Sequence, residues 1–231
     1  MTLHTDRHFE TELQSLHELL LRMGGLVERQ IACAIESLVE RDSKLAQDVI
    51  ESDRDVNQID LLIDEECLKV IALHQPAASD LRFVTTALKV NTDLERIGDM
   101  AVNICQRALE LNEEPILKPY IDIPRMAKEA QHMVHTSLDA FVRRDTNLAR
   151  GVIDDDDVVD AYAHQLYREL LSFMVEEPRT ISRATRILLI SKYLERIADH
   201  ATNIAEMVVF MVDGKMIRHA ASLPDSKPGN S

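Results

Sequence analysis

Two stretches of this chain place carboxylates where they could act together. Glu95, Asp99 and Asn103 stand at i, i+4 and i+8, so on a helix they share one face. Asp53, Asn57, Asp60 and Asp64 form a second polar stripe, flanked by the apolar Val56, Ile59 and Ile63. If the two segments fold back about a turn near Ala77, residues equally distant from that turn lie at one height. Asp60 then faces Glu95, and Asp53 and Asn57 lie level with Asp99 and Asn103. Further along, folding back about Pro178 sets Asp156 and Asp160 level with Asp199 and Glu195. Oxygen donors with almost no thiolate suit hard cations such as Fe, Mn, Mg or Ca, with Zn also within their range. Two carboxylates about 4 Å apart repel by roughly 4 kcal/mol at an effective dielectric of 20, while a whole domain is stable by only about 5–15 kcal/mol. Facing stripes therefore need wider spacing in water, protonation, Arg96 and Arg196 as counter-ions, or bound metal. The competing reading is a solvated helix face, the usual setting for carboxylates opposite an apolar stripe.

The elements that must hold these stripes read as helices. Apolar residues recur at helical spacing through most of the chain, and six long helices follow. The first runs from about Phe9 to Glu40. Asp42 or Ser43 caps a second that ends near Leu73, before His74-Gln75-Pro76. Ser79-Asp80 opens a third that continues to about Leu111. A stretch with Pro115, Pro119 and Pro124 reads as a linker, and helices four (about Arg125–Arg143), five (about Thr146–Val175) and six (about Ser182–Asp213) follow.

The two halves repeat one another. Leu94-Glu95-Arg96-Ile97-Gly98-Asp99-Met100-Ala101-Val102-Asn103-Ile104 returns as Leu194-Glu195-Arg196-Ile197-Ala198-Asp199-His200-Ala201-Thr202-Asn203-Ile204, and Arg41-Asp42 returns as Arg144-Asp145. Short turns make consecutive helices antiparallel neighbours. The expected architecture is all-α, two tandem antiparallel three-helix bundles: residues 1–112, a linker at 113–124, residues 125–219, and a disordered tail at 220–231. Helices of about thirty residues extend about 45 Å, so each bundle should be a rod.

Composition narrows the function classes. The chain has 231 residues with 40 Asp plus Glu against 26 Lys plus Arg, a formal net charge of -14, which argues against a phosphate-backbone footprint and so against a nucleic-acid partner. Its 4% aromatic content, with no Trp, and its 6 Gly and 7 Pro are a poor supply for β-turns or base-stacking platforms. Cys33, Cys67 and Cys105 form no CxxC pair, which fits free thiols on helices in a reducing compartment. The polar N-terminus and the lack of a run near 20 apolar residues imply a soluble, cytoplasmic protein.

Other motifs carry less. His4 and His8 are spaced like helical zinc ligands but lie at a terminus. Glu129-Ala130-Gln131-His132 has the Glu-x-x-His spacing of di-iron bundles, yet occurs once in its half. Within the run Asp154–Asp157, only Asp156 is supported by the repeat. No glycine-rich phosphate loop, activated-serine elbow or Cys/His nucleophile pair is present, so no catalytic machinery is visible.

At the paired Leu-Glu-Arg-Ile-x-Asp motifs, with Asp64-Glu65-Glu66-Cys67 and the turn Gln75-Pro76-Ala77-Ala78-Ser79-Asp80-Leu81-Arg82, the chain closely resembles the PhoU family of phosphate-transport regulators, from about Phe9 to His219. The resemblance implies two three-helix bundles and (Glu/Asp)-x-x-x-Asp motifs that bind multinuclear iron or zinc clusters. Carried over, these are Glu95-x-x-x-Asp99, Glu195-x-x-x-Asp199 and Asp156-x-x-x-Asp160; the first half departs at Asn57, four residues after Asp53. It further implies a cytoplasmic, non-enzymatic, homodimeric adaptor. Such an adaptor couples the ATPase of a phosphate ABC transporter to a membrane sensor histidine kinase and represses the phosphate-starvation response. A metal-storing or di-iron carboxylate bundle is the alternative.

Overall fold

The structure is a computed structural model that describes residues 2–215, with side chains from His8 onward. Six α-helices account for it: α1 (Thr2–Val39), α2 (Ser43–His74), α3 (Ala78–Asn112), α4 (Asp122–Arg143), α5 (Thr146–Glu176) and α6 (Ile181–Asp213), with one 3-10 turn at Pro178–Thr180. The expected disordered tail and residues 216–219 of the second bundle lie outside the described residues. No described helix is long and apolar enough to cross a membrane.

The local chemistry explains most boundaries. Asp42 caps α2, its carboxylate accepting from the Leu45 N–H at 2.9 Å, and Asp145 caps α5 by accepting from the N–H groups of Asn147 and Leu148 at 2.8 and 3.2 Å. The preceding arginines, Arg41 and Arg144, both adopt left-handed backbone (φ 57° and 53°), so the repeated Arg-Asp pair encodes one reversal twice. Two boundaries differ from the sequence expectation. Helix α4 opens at Asp122 rather than Arg125, because Pro124 falls in the first turn, where its missing N–H has no intrahelical partner to lose. Helix α1 begins at Thr2, ahead of the apolar periodicity that starts at Phe9.

Helices α1, α2 and α3 pack on one another, as do α4, α5 and α6, and the two bundles meet where α3 lies on α6 and α1 on α4. The apolar arcs of the repeat, Leu94, Ile97, Ala101 and Ile104 and their counterparts Leu194, Ile197, Ala201 and Ile204, are fully buried, so the expected inward face is the observed one. The buried apolar side chains of both halves form one cluster. Gly24 permits the close approach of α1 to α4, since a Cβ there would overlap Leu138. At the same junction the His17 ring stacks on Phe83 (4.6 Å) and lies against Phe141 (5.4 Å). Burial, then the Arg144 charge, push its pKa down.

The linker is pinned at several points. The Arg41 guanidinium donates to the carbonyls of Asn112 and Glu114, Arg183 donates to the Pro115 carbonyl at 2.9 Å, and Arg186 pairs with Glu110 and Glu114 at 2.5 and 2.8 Å. Lys118, buried to 9% exposure, pairs with Glu169 on α5. Of the three thiols, Cys67 and Cys105 are buried and Cys33 is half-buried; burial pushes both buried thiols up to about 12. They are inert packing groups at neutral pH.

Candidate cation-binding carboxylate clusters

The first cluster lies where α2 meets α3. Asp53 is half-buried on α2 because Val56 and Ile59 turn that face toward the core. Gly98 on α3 clears its approach: a Cβ at position 98 would stand 3.5 Å from Asp53 Oδ1 and 3.2 Å from Gln30 Oε1. Burial, and then the charge of Asp99, raise the Asp53 pKa, while the Asn57 amide, donating to Asp53 Oδ2 at 2.9 Å, opposes the rise. Gln30 of α1 also opposes it, lying close to Asp53 without a full hydrogen bond. Glu95 is raised by burial first and then by Asp99, with smaller contributions from Asp60 and Asp53, against the pull of Arg96. Asp53 and Asp99, and Asp60 and Glu95, are thus near enough to feel one another's charge.

The second cluster carries more charge. Asp156 is pushed up to about 6 by burial, followed by repulsion from Asp199, Asp160, Asp157 and Glu195. Asp199, at the solvent edge, is raised by partial desolvation and by Glu195 and Asp160, with Lys192 and His200 opposing. Asp156 thus feels the other three expected residues of this half, and Asp199 feels Glu195 and Asp160. The repeat is inexact at the counter-ion. Arg96 donates to Asp99 at 3.1 Å and lies 3.5 Å from Glu95, whereas Arg196 makes no ion pair among the described residues and Lys192 takes Glu195 instead.

The donor chemistry of both clusters, oxygen ligands held in protonation-prone surroundings by their neighbours, fits a hard cation. As the side chains stand, no group of three or more His, Cys, Asp or Glu among the described residues is arranged to hold a metal ion. Elsewhere, His132 of the single Glu-x-x-His step is exposed on α4 rather than in the core, and His8 turns to Glu12, 3.6 Å away.

Three contributors are not legible from spacing. Gln30 is a buried amide on the apolar face of α1. Asn91 is fully buried and donates to Asp60 Oδ1 at 2.7 Å and Asp64 Oδ1 at 3.0 Å, clamping the upper end of the α2 stripe. Asp93 on α3 accepts from His200 Nδ1 on α6 at 2.8 Å, joining the two halves. The available signal was a polar residue at a position of apolar phase, which applies to Gln30 and Asn91.

Comparison with known proteins places this arrangement. The model of the PhoU domain matches residues 20–108 and again 123–208, one copy per bundle. The phosphate-specific transport system accessory protein PhoU homolog of Pseudomonas aeruginosa is 44% identical over 220 residues, covering 95% of this chain and 91% of that protein. The accessory protein PhoU of Escherichia coli K12 is 38% identical over 216 residues, covering 94% and 90%. In three dimensions the crystal structure of PhoU from P. aeruginosa superposes with a TM-score of 0.87 at 45% identity, covering 90% of this chain and all of that one. The phosphate transport system regulatory protein PhoU of Streptococcus pneumoniae follows at 0.84 and 31% identity, covering 90% and 98%. With a matching domain in each bundle and the same backbone over nearly its whole length, the chain belongs to the PhoU family.

Proposed function

We propose that this protein is a cytoplasmic, non-catalytic negative regulator of phosphate uptake and of the phosphate-starvation response. It acts as a homodimeric adaptor between the ATPase of a phosphate ABC transporter and a sensor histidine kinase, touching membrane complexes only from the side. The observation that carries this reading is near-full-length similarity to proteins named as accessory and regulatory components of phosphate transport systems. The geometry agrees: long lateral helix faces suit docking, and the acidic surface suits a basic partner face. Asp53, Asn57, Glu95 and Asp99 in one bundle, and Asp156, Asp160, Glu195 and Asp199 in the other, would hold multinuclear iron or zinc, with Mn or Mg as further occupants. The cations would supply the positive charge that the facing carboxylates lack. Deleting the gene in its host and growing the strain in excess phosphate tests the reading. Constitutive expression of phosphate-regulated genes is expected; normal repression would overturn it.

A further inference from the structure

A groove of about 550 Å³ runs between α3 and α6, lined by Arg96, Met100, Arg196, Asp199, His200, Thr202 and Asn203. Its two arginines are the same residue of the two repeats, brought to one seam by the packing of α3 on α6. Arg196 has no ion pair among the described residues, and Arg96 is held only by exposed pairs with Glu95 and Asp99, which are weak and easily exchanged. The His200 ring in the same lining is fixed: Nδ1 donates to Asp93 at 2.8 Å, which leaves Nε2 as its remaining nitrogen. The Thr202 hydroxyl is buried and has no hydrogen-bond partner among the described residues. Two guanidinium forks and the unsatisfied Thr202 hydroxyl can donate to a tetrahedral anion, and His200 Nε2, the lone-pair nitrogen once Nδ1 carries the proton, can accept from the O–H of a monoprotonated phosphate.

We infer that this groove binds a small phosphate-type oxyanion, inorganic phosphate or a phosphate monoester, between Arg96 and Arg196 with His200 and Thr202 on its wall. Asp199 is the one carboxylate in the lining, and it confines the anion to the arginine side. A net charge of -14 disfavours a large polyanion at the same place, whereas a small ion meets mainly the local field. The site stands on its own geometry and does not depend on the adaptor reading.

Calorimetric titration of the full chain at low ionic strength, with inorganic phosphate and separately with glycerol 3-phosphate, tests it. Saturable binding is expected, weakened about tenfold or more by Arg196→Ala through loss of a charge-assisted contact, and weakened less by Thr202→Val. Arg22→Ala, on a remote exposed face, should leave affinity unchanged. Binding of only one ligand identifies the source of the phosphate group and upholds the site. Arg196 is exposed, so its variant keeps the fold, which helical circular dichroism verifies. Absence of saturable binding by both ligands, or affinity equal in the native chain and Arg196→Ala, overturns the proposal.

Discussion

Arg96 donates to Asp99 at 3.1 Å, and the identical pair in the second repeat, Arg196 and Asp199, makes no such bond. The second repeat also differs at Lys192, which holds Glu195 and stands where the first repeat has Thr92. In one bundle the counter-ion comes from the motif itself; in the other it comes from one turn earlier and leaves the motif arginine at liberty. Removing Arg96 should therefore cost about 0–1 kcal/mol, the range of an exposed pair, and removing Arg196 almost nothing. Urea unfolding of Arg96→Ala and Arg196→Ala checks this, and a larger loss in the second variant would contradict it.

Asp156 gives the clearest pH dependence. Its folded pKa of about 6 lies above the ordinary 3.8, so the fold prefers the protonated acid. The penalty is absent below about pH 4 and complete above about pH 6, so this residue lowers stability as pH rises through that window. Asp156→Asn in chelator-treated protein should match the native chain at pH 4 and exceed it by about 1 kcal/mol at pH 7, the shift being discounted for the water that reaches the half-exposed group. A difference in melting temperature independent of pH would refute this assignment.

Cation loading can be checked without any activity assay. Protein purified without an affinity tag should carry stoichiometric metal by elemental analysis, and chelation should lower its melting temperature. Asp99→Ala and Asp199→Ala should each reduce the metal content. Metal-free native protein whose melting temperature ignores added iron, zinc and manganese would leave both clusters as solvated helix faces.

Asn91 should be costly to replace. With its amide gone, Asp60 and Asp64 lose their shared donor at a buried position, so Asn91→Leu should destabilise the chain by about 1–3 kcal/mol and raise the Asp60 pKa further. Chemical denaturation reads the first effect and carboxyl NMR titration the second. Unchanged titration of Asp60 would show that the clamp is energetically idle.

Much of this was legible in the sequence because the signals are local or repeated. Helical periodicity, the Arg-Asp reversals and the buried arcs of the two Leu-Glu-Arg-Ile motifs each need only neighbours within a few turns. The level pairing of Asp53 with Asp99 followed from turn position alone. Gln30, Asn91 and the Asp93–His200 contact were not legible, because each depends on which residue of another helix lies opposite. Spacing fixes the face of a residue but not its partner. The same limit hid the inequality of the two arginines, whose surroundings differ at Thr92 and Lys192 although their motifs agree.

The pinned linker has a consequence for mechanics. With Arg41, Arg183 and Lys118 fastening the connection at both ends, and α3 laid along α6, the two rods cannot swing apart without breaking a shared core. The carboxylate clusters are then carried at a set span, like the jaws of a locked caliper. A partner that grips both must match that span, and one that pulls on either rod turns the molecule as a whole.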